Sequence, residues 1–167
     1  MARTQSCGRP QATTRLAHAH KFFDAAELIA TDVSDDEANA SVAASLAVLA
    51  GIAACDAACC ARLGRRSRSQ DHHDAERLLA EIVPKGRGAA KDLRRLLDLK
   101  DAAQYGVIHV SAAELRSALR RARALVLFAA DIVAGDGQHP YGPHTPHPGP
   151  KKIPFKRHAT SSHENSL

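Results

Sequence analysis

The chain has 167 residues, of which 44% are hydrophobic but only 4% are aromatic, and it contains no tryptophan. This length suits one domain with a sizeable core, which alanine and branched aliphatic side chains must fill. Because alanine is the best helix former and strand-favouring residues are scarce, the composition disfavours a β-sheet protein. Most of the formal net charge of +5 lies in the two terminal segments, so nucleic-acid binding would require a clustered basic face rather than a generally positive chain.

The first two predicted helices follow a short lead-in. Residues 1–10 are predicted to be disordered. Over residues 11–31, apolar side chains recur at steps of three and four, which indicates an amphipathic helix. A second helix is predicted to run to Leu63, because Ser34 and Glu37 have the spacing of a capping box and Gly64 can end a helix in the left-handed conformation.

The second helix is unusually apolar, since residues 38–55 carry no charge. A membrane span needs about 20 apolar residues, and here Asn39, Ser41 and Asp56 interrupt or end the run. A helix that is apolar all round must be covered on every side. We therefore expect the central, buried helix of a bundle and no membrane partner.

Three further helices complete the predicted domain. The third begins near residues 69–71 and stops before Pro84, and the fourth spans about 88–105. The fifth starts with a second capping box, Ser111 and Glu114, and ends at Gly135. The links between helices are short, so neighbours should pack antiparallel. The sequence thus predicts an all-α antiparallel bundle of about five helices over residues 11–135.

Residues 136–167 differ from the rest of the chain, because they hold six of the eight prolines and five of the ten histidines. Proline at this density cannot continue a helix, and few apolar residues remain to be buried. We predict a disordered, basic C-terminal tail. Its histidines could bind a metal only weakly, since no fixed geometry holds them.

No glycine-rich phosphate loop or dinucleotide fingerprint is present, so we expect no cofactor and no metal site.

The four cysteines are Cys7, Cys55, Cys59 and Cys60, and three of them lie in one apolar run. This arrangement lacks the spaced framework of a secreted disulfide protein, and the N-terminus has no apolar signal segment, so we predict reduced thiols and a cytoplasmic protein. Cys55 and Cys59 share a helical face and have metal-compatible spacing. A zinc site would need two more ligands, however, so buried, inert thiols are favoured.

An arginine-rich link precedes the third helix. Arg65, Arg66 and Arg68 could hold a phosphate, and His72 lies on the inward stripe of the helix that follows. A histidine there could act as acid or base near neutral pH. The alternative is that His72 fills the top of the core while the arginines are solvated.

A second candidate cluster lies at the end of the fourth helix, where Lys100 shares the inward face. A lysine in an apolar seam needs a partner, and Asp56, the charge in the apolar helix, is the predicted one. Alternatively, Lys100 extends to solvent and Asp56 bonds locally.

The fifth helix carries an arginine stripe. Arg116, Arg120 and Arg123 align on one face and could meet RNA phosphates or an acidic partner. Such stripes are also common as plain solvated faces.

Two features suggest a family: the polar residue Asp56 on the second helix and the helix end DLKDAAQYG (98–106). With them the chain resembles HEPN domains over about residues 12–134. These small helical bundles are found with nucleotidyltransferases, in toxin–antitoxin pairs and in RNA-cutting defence proteins. The resemblance implies an RNA- or nucleotide-related role, a homodimer, and RNA or a nucleotidyltransferase as partner.

Ribonuclease members of that family carry an arginine followed four to six residues later by a histidine, and the pair attacks RNA without a metal. The matching helix end here has Lys100 and Tyr105. Lysine lacks the bidentate fork of arginine, and tyrosine, with a pKa near 10, is a poor base at neutral pH. The resemblance makes His72, Lys100, Tyr105 and Asp56 the catalytic candidates and leaves ribonuclease activity open.

The alternative function is a non-catalytic helical module that dimerises or docks onto a protein.

Overall fold

A computed structural model describes residues 4–32, 36–68, 72–105 and 110–135, apart from the side chains at 36, 37, 72 and 101–105. These residues form the predicted all-α bundle, together with one short β-ribbon that was not predicted. The predicted disordered tail lies outside the described residues. The helices are α1 (Arg9–Ala30), α2 (Asp36–Leu63), α3 (His72–Ala80), α4 (Gly86–Tyr105) and α5 (Ala112–Gly135), and the ribbon pairs β1 (Thr4–Ser6) antiparallel with β2 (Arg65–Ser67).

Helix α2 is the centre of the bundle and packs against α1, α5, α4 and α3. By length and composition it could cross a membrane, since its most apolar window has a mean hydropathy of 2.0. However, 72% of that window is buried inside the bundle. The other helices therefore cover the apolar surface that the sequence assigned to a central helix.

Small residues let the helices approach α2 closely. Several of its alanines are fully buried, and a Cβ added at Gly51 would lie 2.6 Å from Leu96 Cδ1 and 3.2 Å from Leu125 Cδ1. Leu96 on α4 and Leu125 on α5 are themselves buried. Leucines from two helices thus converge on a position where α2 has no side chain, which compensates for the missing aromatic volume.

Two predicted helix-end signals are confirmed. Gly64 ends α2 with a positive φ of 66°, a conformation that favours glycine. At the start of α5, the Glu114 carboxylate accepts the Ser111 N–H at 2.8 Å, and the Ser111 hydroxyl accepts the Glu114 N–H at 3.3 Å. The predicted cap at Ser34 lies outside the described residues.

Two predictions about the N-terminal segment and the cysteines are wrong. Residues 4–6 form β1 rather than a disordered lead-in, and α1 already begins at Arg9. Cys7 forms a disulfide with Cys60 across 53 residues of sequence, so not all the thiols are reduced. The reason is that β1 pairs with the strand directly after α2, which brings Cys7 to the last turn of that helix. The prediction of buried thiols holds for Cys55 and Cys59.

The first turn of α4 provides a paired test of packing. A Cβ at the buried Gly86 would clash with the Leu79 backbone carbonyl, which cannot rotate away, whereas nothing lies within 4 Å of a Cβ at Gly88. We expect Gly86→Ala to lower the free energy of unfolding by about 2 kcal/mol or more. Gly88→Ala should leave it unchanged or raise it by up to about 1 kcal/mol. Urea denaturation measures both, and equal effects would contradict this packing.

The α5 capping box predicts a pH dependence. Hydrogen bonds from the side chain and backbone of Ser111 lower the pKa of Glu114. Since the folded-state pKa is the lower one, the stabilisation is present above the unfolded value of about 4.3 and is lost as the pH falls. Glu114→Gln should therefore melt below the wild type at pH 7, and the gap should narrow at pH 3. A gap independent of pH in thermal unfolding would refute this assignment.

Candidate functional site

A buried carboxylate organises the candidate site. Asp56 is only 7% exposed. Its Oδ2 forms an ion pair with Arg15 Nη2 of α1 at 2.8 Å and accepts a hydrogen bond from Arg66 Nη1 of β2 at 3.1 Å. A charge on an apolar helix requires such partners, because leaving it unpaired away from water is costly. Asp56 therefore connects α1, α2 and β2 at one point.

The predicted pairing of Asp56 with Lys100 is wrong. Lys100 lies beside Ser45 and Leu49, two to three turns before Asp56 on α2. Helical phase correctly placed Lys100 on the side of α4 that faces α2. Phase does not, however, give the position of a residue along the axis of the neighbouring helix. The carboxylate is instead bound by the two arginines.

The β-ribbon positions Arg66. Its strand partner is Gln5, and the Gln5 side-chain oxygen accepts a hydrogen bond from Arg66 Nη2 at 3.2 Å. Both terminal nitrogens of Arg66 are thus engaged, one by Asp56 and the other by Gln5. The neighbouring Arg65 turns away and pairs with Glu81 at 2.8 Å.

A cavity of about 350 Å³ opens beside Asp56. We call it the arginine pocket and define it by Arg15, Asp56, Arg66 and Arg68, with Gln5 also in its wall. Three arginines and one aspartate line the pocket, so the lining carries two positive charges more than it has negative ones. The pocket therefore presents positive charge to an anion. The Nε of Arg15 is itself buried and, in the described part of the chain, has no hydrogen-bond partner.

A second, apolar cavity of about 250 Å³ lies near the arginine pocket, and Ile52 lines both. We call it the α2 groove. Aliphatic side chains dominate its lining, and Lys100 lies at its edge. Its other lining residues are Ala44, Ser45, Val48, Leu49 and Leu99.

The structure brings together only some of the predicted site residues. Asp56, Arg66 and Arg68 meet in the arginine pocket, whereas Lys100 lies in the α2 groove. The side chains of His72 and Tyr105 lie outside the described residues, so their predicted roles stay predictions.

Sequence analysis missed Arg15 and Gln5. A signal for Arg15 was present, because it lies three residues after Ala12 and four before Ala19, both fully buried on α1. An arginine on the inward stripe of a helix requires an acidic partner. Gln5 gave no such signal, since its role depends on the β1–β2 pairing.

The predicted arginine stripe of α5 divides into two parts. Arg116 and Arg120 are exposed. Arg123 contacts α1, since its Nη2 binds Glu27 at 2.7 Å and its guanidinium lies 5.5 Å from the ring centroid of Phe23. Arg123 therefore serves the packing of α5 on α1.

The two free cysteines, Cys55 and Cys59, are buried. The hydrogen bond with Cys59, together with burial, raises the pKa of the Cys55 thiol well above its usual value. A raised pKa keeps the thiol protonated and unreactive. Within the described ranges, no three histidine, cysteine or acidic side chains form a group that could hold a metal.

Comparison with known proteins gives no relative for this architecture: no family model, curated protein or solved structure matches the chain.

The role of Asp56 can be tested by removing its charge. Asp56→Asn leaves Arg15 and Arg66 without a counter-charge, and we expect the free energy of unfolding to fall by about 1–3 kcal/mol, less than for a fully buried pair because both arginines are partly exposed. The matched control is Asp24→Asn at an exposed position of α1, which should change little. Chemical denaturation measures both variants, and equal stability would show that Asp56 does not organise this point.

Proposed function

We propose that this protein is a HEPN-like helical bundle that binds RNA through backbone phosphates in the arginine pocket. The observation that carries the proposal is the convergence of Arg15, Arg66 and Arg68 around the single carboxylate of Asp56. The toxin–antitoxin or defence setting implied by the resemblance belongs to the same proposal, as does a nucleotidyltransferase as the class of protein partner.

The pocket suits a phosphate for electrostatic and geometric reasons. Arginine presents a planar set of donors that matches phosphate oxygens. Asp56 holds Arg15 and Arg66 in fixed positions, so less side-chain freedom is lost when a ligand binds. Asp56 neutralises only one of the three guanidinium charges, so the pocket retains attraction for an anion.

The described contacts support binding more strongly than cleavage. The arginine pocket has no histidine among its described lining residues, and the described imidazole of His73 lies near Glu76, at 3.7 Å, with 71% of its side chain exposed. Ribonuclease activity with His72, Lys100 and Tyr105 as catalytic candidates is therefore treated as an outcome of the experiment below.

The proposal is tested by titrating fluorescently labelled single-stranded RNA in chelator at low salt. Arg68→Ala removes an exposed arginine of the pocket and should weaken binding about tenfold and reduce the salt dependence. Arg116→Ala removes another exposed arginine, on α5, and should change the affinity by less than about twofold if the pocket is the site.

The same samples are assayed for RNA cleavage. Cleavage that persists in chelator and is lost in His72→Ala or Lys100→Ala would add a metal-independent ribonuclease activity to the binding function. If Arg68→Ala binds as tightly as the wild type, or if the wild type does not bind RNA, the proposed function is wrong.

A second candidate function is a docking or dimerisation module, and the outer face of α2 favours it. Val42 and Leu49 are 47% and 43% exposed, which is unusual for large aliphatic side chains on a central helix. Under this alternative the 17.8 kDa chain self-associates in sedimentation experiments, Leu49→Glu abolishes that association, and Arg68→Ala has no effect on it.

A further inference from the structure

We call residues 4–7 the strap, and one of them, Gln5, lines the arginine pocket. The strap contains β1 and Cys7. It is attached to the rest of the protein by the β1–β2 pairing, by the hydrogen bond from the Cys7 N–H to the Gly64 carbonyl at 3.0 Å, and by the Cys7–Cys60 disulfide. Gln5 extends from the strap to Arg66.

The non-covalent attachment of the strap is weak. β1 has three residues, all exposed, and β2 has three. An isolated two-stranded ribbon is marginally stable at best in water. Since the side chains of β1 bury little apolar surface, the disulfide is the main attachment that keeps the strap in place.

We propose that the Cys7–Cys60 disulfide is a redox latch that controls access of RNA phosphate to Arg66. This inference rests on the proposed function, because it concerns regulation of the same pocket. With the disulfide formed, the strap holds Gln5 against Arg66 Nη2. After reduction the strap detaches, and this nitrogen becomes available to a phosphate oxygen.

The switching reaction is a two-electron thiol–disulfide exchange with a dithiol. A thiolate of the dithiol attacks the sulfur of Cys7, which is partly exposed, while Cys60 is buried. The Cys7–Cys60 bond breaks, a mixed disulfide with Cys7 forms, and Cys60 leaves as a thiolate that takes up a proton. The second thiol of the reagent then releases Cys7, so the protein gains two thiols and the reagent becomes a disulfide.

The other two cysteines do not interfere with this exchange. Cys55 and Cys59 are buried and free, and the raised pKa of Cys55 disfavours the thiolate that would attack a disulfide. Reduction therefore acts on one disulfide, and the two free thiols are buried in the core.

Binding of labelled single-stranded RNA is measured with four proteins, each with and without dithiothreitol. Cys7→Ser mimics the open latch, and Gln5→Ala frees Arg66 while the disulfide stays intact. The matched control is Thr4→Ala, which changes another exposed residue of β1. Reduced wild type, Cys7→Ser and oxidised Gln5→Ala should bind about three- to tenfold more tightly than oxidised wild type, the net effect of one added hydrogen bond. Oxidised Thr4→Ala should match oxidised wild type.

Amide hydrogen exchange supplies a readout that does not depend on RNA. Reduction should accelerate exchange in residues 4–8 while α2 stays protected. If the strap keeps its protection after reduction, or if RNA affinity is the same in both redox states, the latch is overturned and RNA binding stands. If no form binds RNA, the proposed function fails, and regulation of that site fails with it.

Discussion

The structure depends on the need to neutralise one carboxylate within an apolar helix. Asp56 interrupts the buried surface of α2, and it is tolerated because Arg15 and Arg66 bind it from two different elements. These ion pairs connect α1 and β2 to α2 at one point. The same requirement concentrates positive charge at the surface, because two arginines serve one acid and Arg68 lies beside them. The ion pairs on Asp56 thus contribute both to packing and to the candidate binding site.

Local signals made the helices predictable. Apolar spacing defined α1, the uncharged run defined the buried α2, and Gly64 and the Ser111 cap marked helix ends within a residue or two of their observed positions. The candidate site was only half predictable. Asp56 and Arg66 stood out as polar groups, but the partner of Asp56 depends on the axial offset between helices, which periodicity does not contain. The strap was hidden because its pairing joins residues about 60 positions apart.

In this protein the same side chains stabilise the fold and line the candidate binding site. Arg15 and Arg66 hold Asp56 in the folded state, so a ligand that binds them must share their donors with that carboxylate. Arg68 has no such duty among the described contacts, and its exposed position suits it to meet a ligand first. The cluster of three arginines therefore differs from a solvated loop, because the fold positions two of them, Arg15 and Arg66, and leaves Arg68 accessible.

The disulfide changes the interpretation of the cysteine content. The cytoplasmic prediction was argued partly from reduced thiols, and a covalent Cys7–Cys60 bond removes that part of the argument. Disulfides in reducing compartments are mostly transient or redox-sensing, whereas in oxidising compartments they persist. In both cases the consequence for the pocket follows from the same geometry. Where thiols reduce the bond, the strap is held by the three-residue ribbon and the backbone hydrogen bond from Cys7 to Gly64; where they do not, Gln5 stays on Arg66. The surroundings of the protein therefore determine how many donors the arginine pocket presents.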